Sequence, residues 1–427
     1  MPSPLIFYSI NEAFRLNKRG LPQTPVGFNY ANRKFTFDES TPWKFFGWYF
    51  SLIGILPLLT GGSCIYVIFW HFISPRPGFT IAQIVQYCIV FMTCGTLCGI
   101  GITTLLSGRL GFLLLNQNLQ AYEELMTDDT DDKNMYVPKP RIDSILEIFG
   151  TPGLHLKNGK LDIIGILYLV CLTTSTTISR FVIFPMVVLR RMDICGFVIH
   201  DLWIWLGVWG NPIIWVIDII IRTPLTYIFF MECQRTLPFV VFFMAMPLQL
   251  FVQSIIKLLD DATEFGGNKF LRETSVRIFK KIQLFVIIPE RLVTTLTLLL
   301  MFVGVAFLVC LNFATIRFLH YDLPFMYYMM FPILGFILTL VMRAMLPVAI
   351  DMHERSVEIL RLWRHNTALK GRGKAFLHKT VRAMRPLCFF AGIDDLIFYK
   401  IDKPVLGSFF STIQDWTIAL LMSYQPG

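Results

Sequence analysis

The sequence predicts an all-α polytopic membrane protein with seven transmembrane helices, and three observations support this class. Of its 427 residues, 55% are apolar and only 16% are charged, whereas roughly a quarter of the residues in soluble domains are charged. Several apolar segments are long enough to cross a bilayer as helices. The basic residues lie beside these segments, so the net charge of +9 indicates a membrane topology and no nucleic-acid partner.

Seven segments have the length and apolarity of spanning helices. They cover residues 45–73, 81–106, 161–189, 224–250, 292–319, 323–350 and 404–425. Residues 195–221 are also apolar enough to span, so seven and eight spans are both conceivable from hydropathy. With seven spans, the tryptophan-rich stretch 203–209 lies in an outer loop or at the membrane interface, where tryptophan is favoured.

The distribution of basic residues decides between the two counts. Residues 1–44, 107–160, 251–291 and 343–404 hold 31 of the 38 lysines and arginines. Seven spans place all four segments on one side of the membrane, whereas eight spans place the third segment opposite the N-terminus. The sequence therefore predicts seven spans, a cytosolic N-terminus and an extracellular C-terminus, an orientation opposite to that of a G-protein-coupled receptor.

Helical patterns continue beyond three of the predicted spans. The fourth and fifth spans extend through residues 251–291 as amphipathic helices, and the sixth continues into residues 351–403. We expect these extensions of helices four to six to form a cytosolic anchor domain. The remaining parts are a cytosolic N-terminal segment (1–44), the first six helices (45–350), and the last helix with the C-terminus (404–427).

The last span has one small and polar face. Its members recur every three or four residues. They are Ser408, Ser411, Thr412, Asp415, Ala419, Met422 and Ser423. Such a face either packs tightly against a neighbouring helix or lines water, and both interpretations remain open. The same holds for Asp415, which is either paired in the protein or exposed to an aqueous path.

Charged and aromatic residues in the other spans are further candidates. Glu232 and Arg235 are three residues apart and can pair on one helix, whereas Arg180 either pairs with Asp218 or lines a ligand pocket. Aromatic residues near the outer ends of the fourth and sixth spans either pack against lipid or line an apolar pocket. The candidate ligand-binding residues are Arg180, Phe184, Tyr227, Phe230, Tyr327, Tyr328 and Phe331.

The sequence predicts no enzyme. Its seven histidines are dispersed, and no nucleophile shares a span with a base at helical spacing. We therefore expect neither a cofactor nor a metal site.

Three short motifs near the C-terminus carry a family resemblance. They are His-Glu-Arg-Ser-Val-Glu-Ile-Leu-Arg-Leu-Trp at 353–363, Leu-His-Lys-Thr-Val-Arg-Ala-Met-Arg-Pro at 377–386 and Phe-Ala-Gly-Ile-Asp-Asp-Leu-Ile-Phe at 390–398. Their order before a final span resembles the C-terminal half of insect odorant and gustatory receptors. In that superfamily a cytosolic helix ends in Arg-Pro, and a short turn containing Ala-Gly leads to the last helix.

The resemblance implies a chemosensory receptor of the cell membrane that is a ligand-gated, non-selective cation channel. It implies four subunits, either identical or including a related co-receptor, a small-molecule ligand in the outer half of each subunit, and a pore lined by the polar face of the last helix. The sequence departs from the gustatory pattern, because Asp415-Trp416 replace Thr-Tyr and Met422 replaces Gln. A G-protein-coupled-type receptor and a transporter are the alternative functions.

Overall fold

The computed structural model describes residues 4–17, 22–38, 42–74, 81–127, 152–155, 161–162, 165–166, 169, 193, 195–264, 273–320, 325–368 and 374–423. Most of this part of the chain is helical. The helices are α1 (Pro4–Asn17), α2 (Trp43–Ile73), α3 (Ile81–Thr127), α4 (Gly196–Trp205), α5 (Pro212–Glu264), α6 (Glu273–Ile287), α7 (Glu290–Arg317), α8 (Phe325–Ala368), α9 (Lys374–Ala383) and α10 (Lys403–Ser423). Two antiparallel hairpins join them, β1 (Val26–Asn29) with β2 (Lys34–Phe37) and β3 (Phe390–Ile393) with β4 (Leu396–Lys400).

Among the described residues, six helices are long and apolar enough to cross a membrane, namely α2, α3, α5, α7, α8 and α10. Their apolar parts match six of the seven predicted spans. The remaining prediction, residues 161–189, falls almost entirely outside the described residues, so the count of seven stays a prediction. In α2, Pro57 lies within a π-helical stretch, Phe50–Gly61, because proline cannot donate to the regular helical ladder.

The fourth predicted span begins earlier than its hydropathy suggested. The α5 helix begins at Pro212, and among the described residues its candidate membrane span is Pro212–Thr236, whereas the predicted start was Pro224. The reason lies in the Asn211-Pro212 pair. The Asn211 side chain accepts a hydrogen bond from the amide of Ile213 at 3.0 Å, and proline suits the first helical position. The tryptophan-rich stretch before it forms the short helix α4 and a turn, which is too short to span.

The N-terminal segment is folded and contains the first hairpin, which corrects the all-α prediction. Residues of α1, β1 and β2 pack against the polar part of α3, which continues to Thr127 instead of ending in the connection predicted over 107–160. Asn116 of α3 pairs with the edge of β2. Its side chain accepts from the Phe35 amide at 3.0 Å and donates to the Phe35 carbonyl at 2.8 Å. These bonds satisfy the backbone amide and carbonyl of Phe35, which would otherwise lack partners at the edge of the hairpin.

The parts of the helices that continue past the predicted spans meet in one apolar core. We call this core the extension bundle. Its buried members come from α3, α5, α6, α8, α9 and the segment after α9, and they are Leu125, Phe251, Ile255, Leu258, Val276, Ile278, Phe279, Ile282, Met352, Ile359, Leu360, Trp363, Val381, Met384 and Leu387. The rings of Trp363 and Phe279 meet edge to face at 5.5 Å. The predicted continuation of these helices is thus observed, with a break between α6 and α7 at Pro289.

The second hairpin replaces the short turn expected between the Arg-Pro motif and the last helix. The strands β3 and β4 pair in register, with a bulge between Ala391 and Gly392. A Cβ atom on Gly392 would collide with the carbonyl oxygen of Leu396. Only glycine therefore fits where the two strands approach this closely. The hairpin packs against α7 and leads directly into α10.

Candidate functional site

The α10 helix has two distinct faces within the subunit. Its buried face consists of Phe409, Ile413 and Thr417. Phe409 and Ile413 pack into a cluster with residues of α7 and α8 such as Met301 and Met342. The predicted polar face lies on the other side. Ser408, Ser411, Asp415, Ala419, Met422 and Ser423 are exposed, and Thr412 is half-buried. The polar face therefore does not pack against the fifth or sixth predicted span of its own subunit.

Short hydrogen bonds along α10 satisfy most hydroxyl groups of this face. Thr412 donates to the Ser408 carbonyl at 2.7 Å, and Ser423 donates to the Leu420 carbonyl at 3.0 Å. The hydroxyl of Ser411 lies 3.4 Å from a carboxylate oxygen of Asp415. In the part of the chain that the structure describes, Asp415 forms no ion pair, and its side chain is exposed.

Three of the candidate ligand-binding aromatics meet in one apolar cluster between α3, α5, α7 and α8. Phe331 is 2% exposed and packs with Phe230, Tyr328 and Phe318. The rings of Phe331 and Phe318 are perpendicular at 4.9 Å, and the Tyr328 hydroxyl donates to the Thr315 carbonyl at 2.9 Å. The structure therefore brings Phe230, Tyr328 and Phe331 together.

The other four candidates are placed differently. Tyr227 is half-buried on α5, one turn before Phe230, and is not part of this cluster. Tyr327 lies in α8, but its side chain is outside the described set, and Arg180 and Phe184 lie outside the described residues altogether. The role of all seven residues stays a prediction.

A buried charge triad lies near the start of α5, and the sequence interpretation missed it. One guanidinium nitrogen of Arg222 is 3.0 Å from Asp193, and another is 3.1 Å from Asp218. All three side chains are at most 2% exposed, and the Trp203 indole donates to Asp218 at 3.3 Å. Asp218 thus pairs with Arg222 of its own helix, four residues on, a spacing that could have suggested this partner in place of Arg180.

The predicted pair of Glu232 and Arg235 is present and buried. Arg235 also donates to the carbonyl of Pro22 at 2.7 Å and lies over the ring of Trp48 at 5.9 Å. Since Pro22 precedes the first hairpin, this ion pair joins the N-terminal segment to the middle of α5. Its geometry indicates a structural role.

Comparison with known proteins begins at the level of sequence, where the chain matches no protein-family model and no curated protein. Its three-dimensional structure is similar to that of the insect olfactory receptor OR5 from Machilis hrabei in complex with eugenol. The TM-score is 0.53 at 12% sequence identity, and the match covers 98% of each chain. The chain has the insect olfactory receptor fold. A second structure of the insect olfactory receptor OR5 from Machilis hrabei matches over 98% of this chain and 97% of its own, with 13% identity and a TM-score of 0.46.

The receptor fold confirms the resemblance based on the three C-terminal motifs. Within the described residues no group of three histidine, cysteine, aspartate or glutamate side chains could hold a metal ion.

Proposed function

We propose that the protein is a chemosensory receptor that acts as a ligand-gated cation channel of the cell membrane, with four subunits around a pore lined by α10. The observation that carries this proposal is the polar face of α10, which is turned away from its own subunit. A carboxylate in a membrane span costs several kcal/mol unless it meets water or a partner. Four copies of α10 around a central water path would meet that requirement.

The chemistry of the α10 face suits cation conduction. In a fourfold arrangement Asp415 forms an acidic ring, which attracts cations, and Met422 supplies an apolar ring nearer the C-terminal end that can gate by dewetting. The small side chains Ser408, Ser411 and Ala419 leave room for water. The proposal places the N-terminus in the cytosol and the C-terminus outside, because most basic residues then lie on the cytosolic side.

The extension bundle and the second hairpin supply the proposed contacts between subunits. The hairpin presents large apolar side chains that are more than half exposed in the single subunit, and they are Ile393, Leu396, Ile397 and Phe398. Exposed apolar clusters of this kind are typical of protein contacts. Identical subunits and a related co-receptor are both possible partners.

Direct contacts connect the bundle to the pore helix. The Lys400 ammonium of β4 donates to His353 of α8 at 2.5 Å, while the other ring nitrogen of His353 lies 2.9 Å from the Leu387 carbonyl. Lys403, the first residue of α10, pairs with Glu354 at 2.8 Å. A movement of α8 would therefore be transmitted to α10.

The proposed ligand site is in the outer half of the subunit, around Phe230, Tyr328 and Phe331. An apolar and aromatic lining fits a small apolar or aromatic molecule. The OR5 structure from Machilis hrabei contains eugenol, an aromatic molecule of this kind. Arg180, Phe184, Tyr227 and Tyr327 complete the proposed set.

The experiment that tests the pore is cysteine accessibility during current recording. Single cysteines at Asp415, Ala419 and Met422 are introduced after replacement of the reactive native cysteines. We expect a charged thiol reagent in the extracellular bath to modify all three and change the current when ligand is present, since a pore exposes them to water.

The matched controls are cysteines at Ile413 and Thr417, which lie on the buried face of the same helix. They should react at least about tenfold more slowly, as expected for buried thiols. Equal protection of both sets would show that the pore lies elsewhere. Ligand responses without any current through the protein itself would favour a metabotropic receptor or a transporter.

A second prediction concerns ion selectivity. Asp415→Asn should lower the preference for cations over anions by about twofold or more, because the acidic ring loses its charge. The measurement is the reversal potential of the ligand-evoked current under a salt gradient. Asp394→Asn, at the exposed tip of the second hairpin, is the control and should leave the reversal potential unchanged. An unchanged value in Asp415→Asn would remove this residue from the pore.

A further inference from the structure

A basic cleft lies on the extension bundle, between the end of α8 and α9. It has a volume of about 380 Å³ and is lined by Arg364, His378 and Arg382. Three potentially cationic groups around one cleft repel each other unless an anion lies between them. Among the described residues neither His378 nor Arg382 takes part in an ion pair, so the described part of the chain does not supply that anion to them.

The backbone at both arginines is anchored by the core of the extension bundle. Each directly follows a buried residue of the bundle, Trp363 at 1% exposure and Val381 at 0%. The guanidinium of Arg364 also donates to the Met384 carbonyl at 3.1 Å. Packing therefore fixes the backbone on both sides of the cleft, which lowers the entropic cost of ordering its basic side chains around a ligand.

We propose that this cleft binds a compact anion that carries several phosphate groups. Guanidinium groups form paired, charge-assisted hydrogen bonds with phosphate oxygens, and a histidine adds a further donor. The volume of the cleft admits a small polyphosphorylated molecule. The same chemistry is offered by two sources, a soluble phosphate ester in the cytosol and the phosphorylated headgroup of a membrane lipid.

The position of the cleft favours the soluble source. The apolar part of α8 ends near Ile350, and Arg364 lies fourteen residues further along the helix. At 1.5 Å per residue this is about 21 Å, whereas the headgroup layer adds only about 5 to 8 Å to each side of the hydrocarbon core. This choice of source rests on the proposed cytosolic placement of the bundle, but binding by the cleft does not.

The test measures binding of inositol hexakisphosphate to the purified full-length protein in detergent, by calorimetry and by the shift in melting temperature. We expect saturable binding and a higher melting temperature with inositol hexakisphosphate. The anion contacts both α8 and α9 in the folded protein, and a ligand that binds only the folded state stabilises it. Arg382→Gln and His378→Gln should each weaken binding about tenfold, as expected for the loss of one charge-assisted contact. No channel activity is needed, so the result is independent of the proposed function.

The matched control is Lys379→Gln, which removes a charge from an exposed neighbouring position on α9 that does not line the cleft. The affinity of this variant for inositol hexakisphosphate should stay within about twofold of that of the parent protein. An equal loss in Lys379→Gln and Arg382→Gln, or no saturable binding, would overturn the proposed site. A second arm uses vesicles that contain phosphatidylinositol bisphosphate. Binding to the vesicles that is sensitive to Arg382→Gln, with none to the soluble phosphate ester, would overturn the soluble source.

Discussion

Replacing Arg222 with leucine is expected to remove most of the correctly folded protein. The substitution leaves Asp193 and Asp218 buried without the cation that lies 3.0 and 3.1 Å from them. Loss of one partner from a buried ion pair costs about 3–5 kcal/mol, and here two carboxylates lose the same partner. The measurement is the yield and melting temperature of the detergent-extracted protein.

Two further variants separate the charge effect from a general loss of packing. Arg291→Leu removes an arginine whose side chain is 71% exposed and pairs with Asp395. It should change the free energy of unfolding by less than about 1 kcal/mol. Combining Arg222→Leu with Asp193→Asn and Asp218→Asn should restore part of the yield, because no unpaired charge remains buried. If Arg222→Leu melts like the parent, the triad does not stabilise the first part of α5.

Gly392→Ala is expected to abolish most of the ligand-evoked current and to destabilise the protein. The added Cβ collides with the carbonyl of Leu396 on the paired strand and approaches the Cα of Ile397 to 2.9 Å. These are backbone atoms, so the hairpin itself must shift. Overpacking typically costs about 1–3 kcal/mol, and the hairpin connects the Arg-Pro segment to α10. Current density and surface expression are measured together.

The control for this variant is Gly407→Ala, at a helical glycine of α10 with no atom within 4 Å of the added Cβ. It should keep the parent current and gain slightly in stability, since alanine favours helix by about 1 kcal/mol over glycine. Normal current and stability in Gly392→Ala would show that the second hairpin accommodates a side chain at this position and does not require glycine there.

Several features followed from local patterns in the sequence. The length and apolarity of six spans, the continuation of α5 and α8 past their predicted spans, and the single polar face of α10 all depend on spacing along one helix. The pairing of Glu232 with Arg235 was predictable for the same reason. Such properties depend on neighbours three or four residues away, and these are visible in a linear sequence.

The start of α5 and the first hairpin also have local signals in the sequence, but the charge distribution and the overall composition favoured other interpretations. The Asn211-Pro212 pair is a helix start, yet the predicted span begins at Pro224, because the distribution of basic residues favours seven spans and the apolar run 224–250 is assigned as the fourth. The first hairpin has two short alternating strands around a polar turn, but composition favoured an all-α protein. At the start of α5 and in the first hairpin, the local helix-start or turn signal was more informative than properties averaged over the whole chain.

The sequence by itself determined that this is a polytopic helical membrane protein with a polar last helix, because apolar length and helical periodicity are properties of single segments. Only the tertiary structure decided which face of α10 is buried, that Arg222 lies between Asp193 and Asp218, and that Arg364 meets His378 and Arg382 in one cleft. Asp193 and Arg222 are 29 positions apart, and no local pattern relates them. Their contact exists because the packing of α5 against its neighbours excludes water from these charges, and a buried charge is stable only when it is paired.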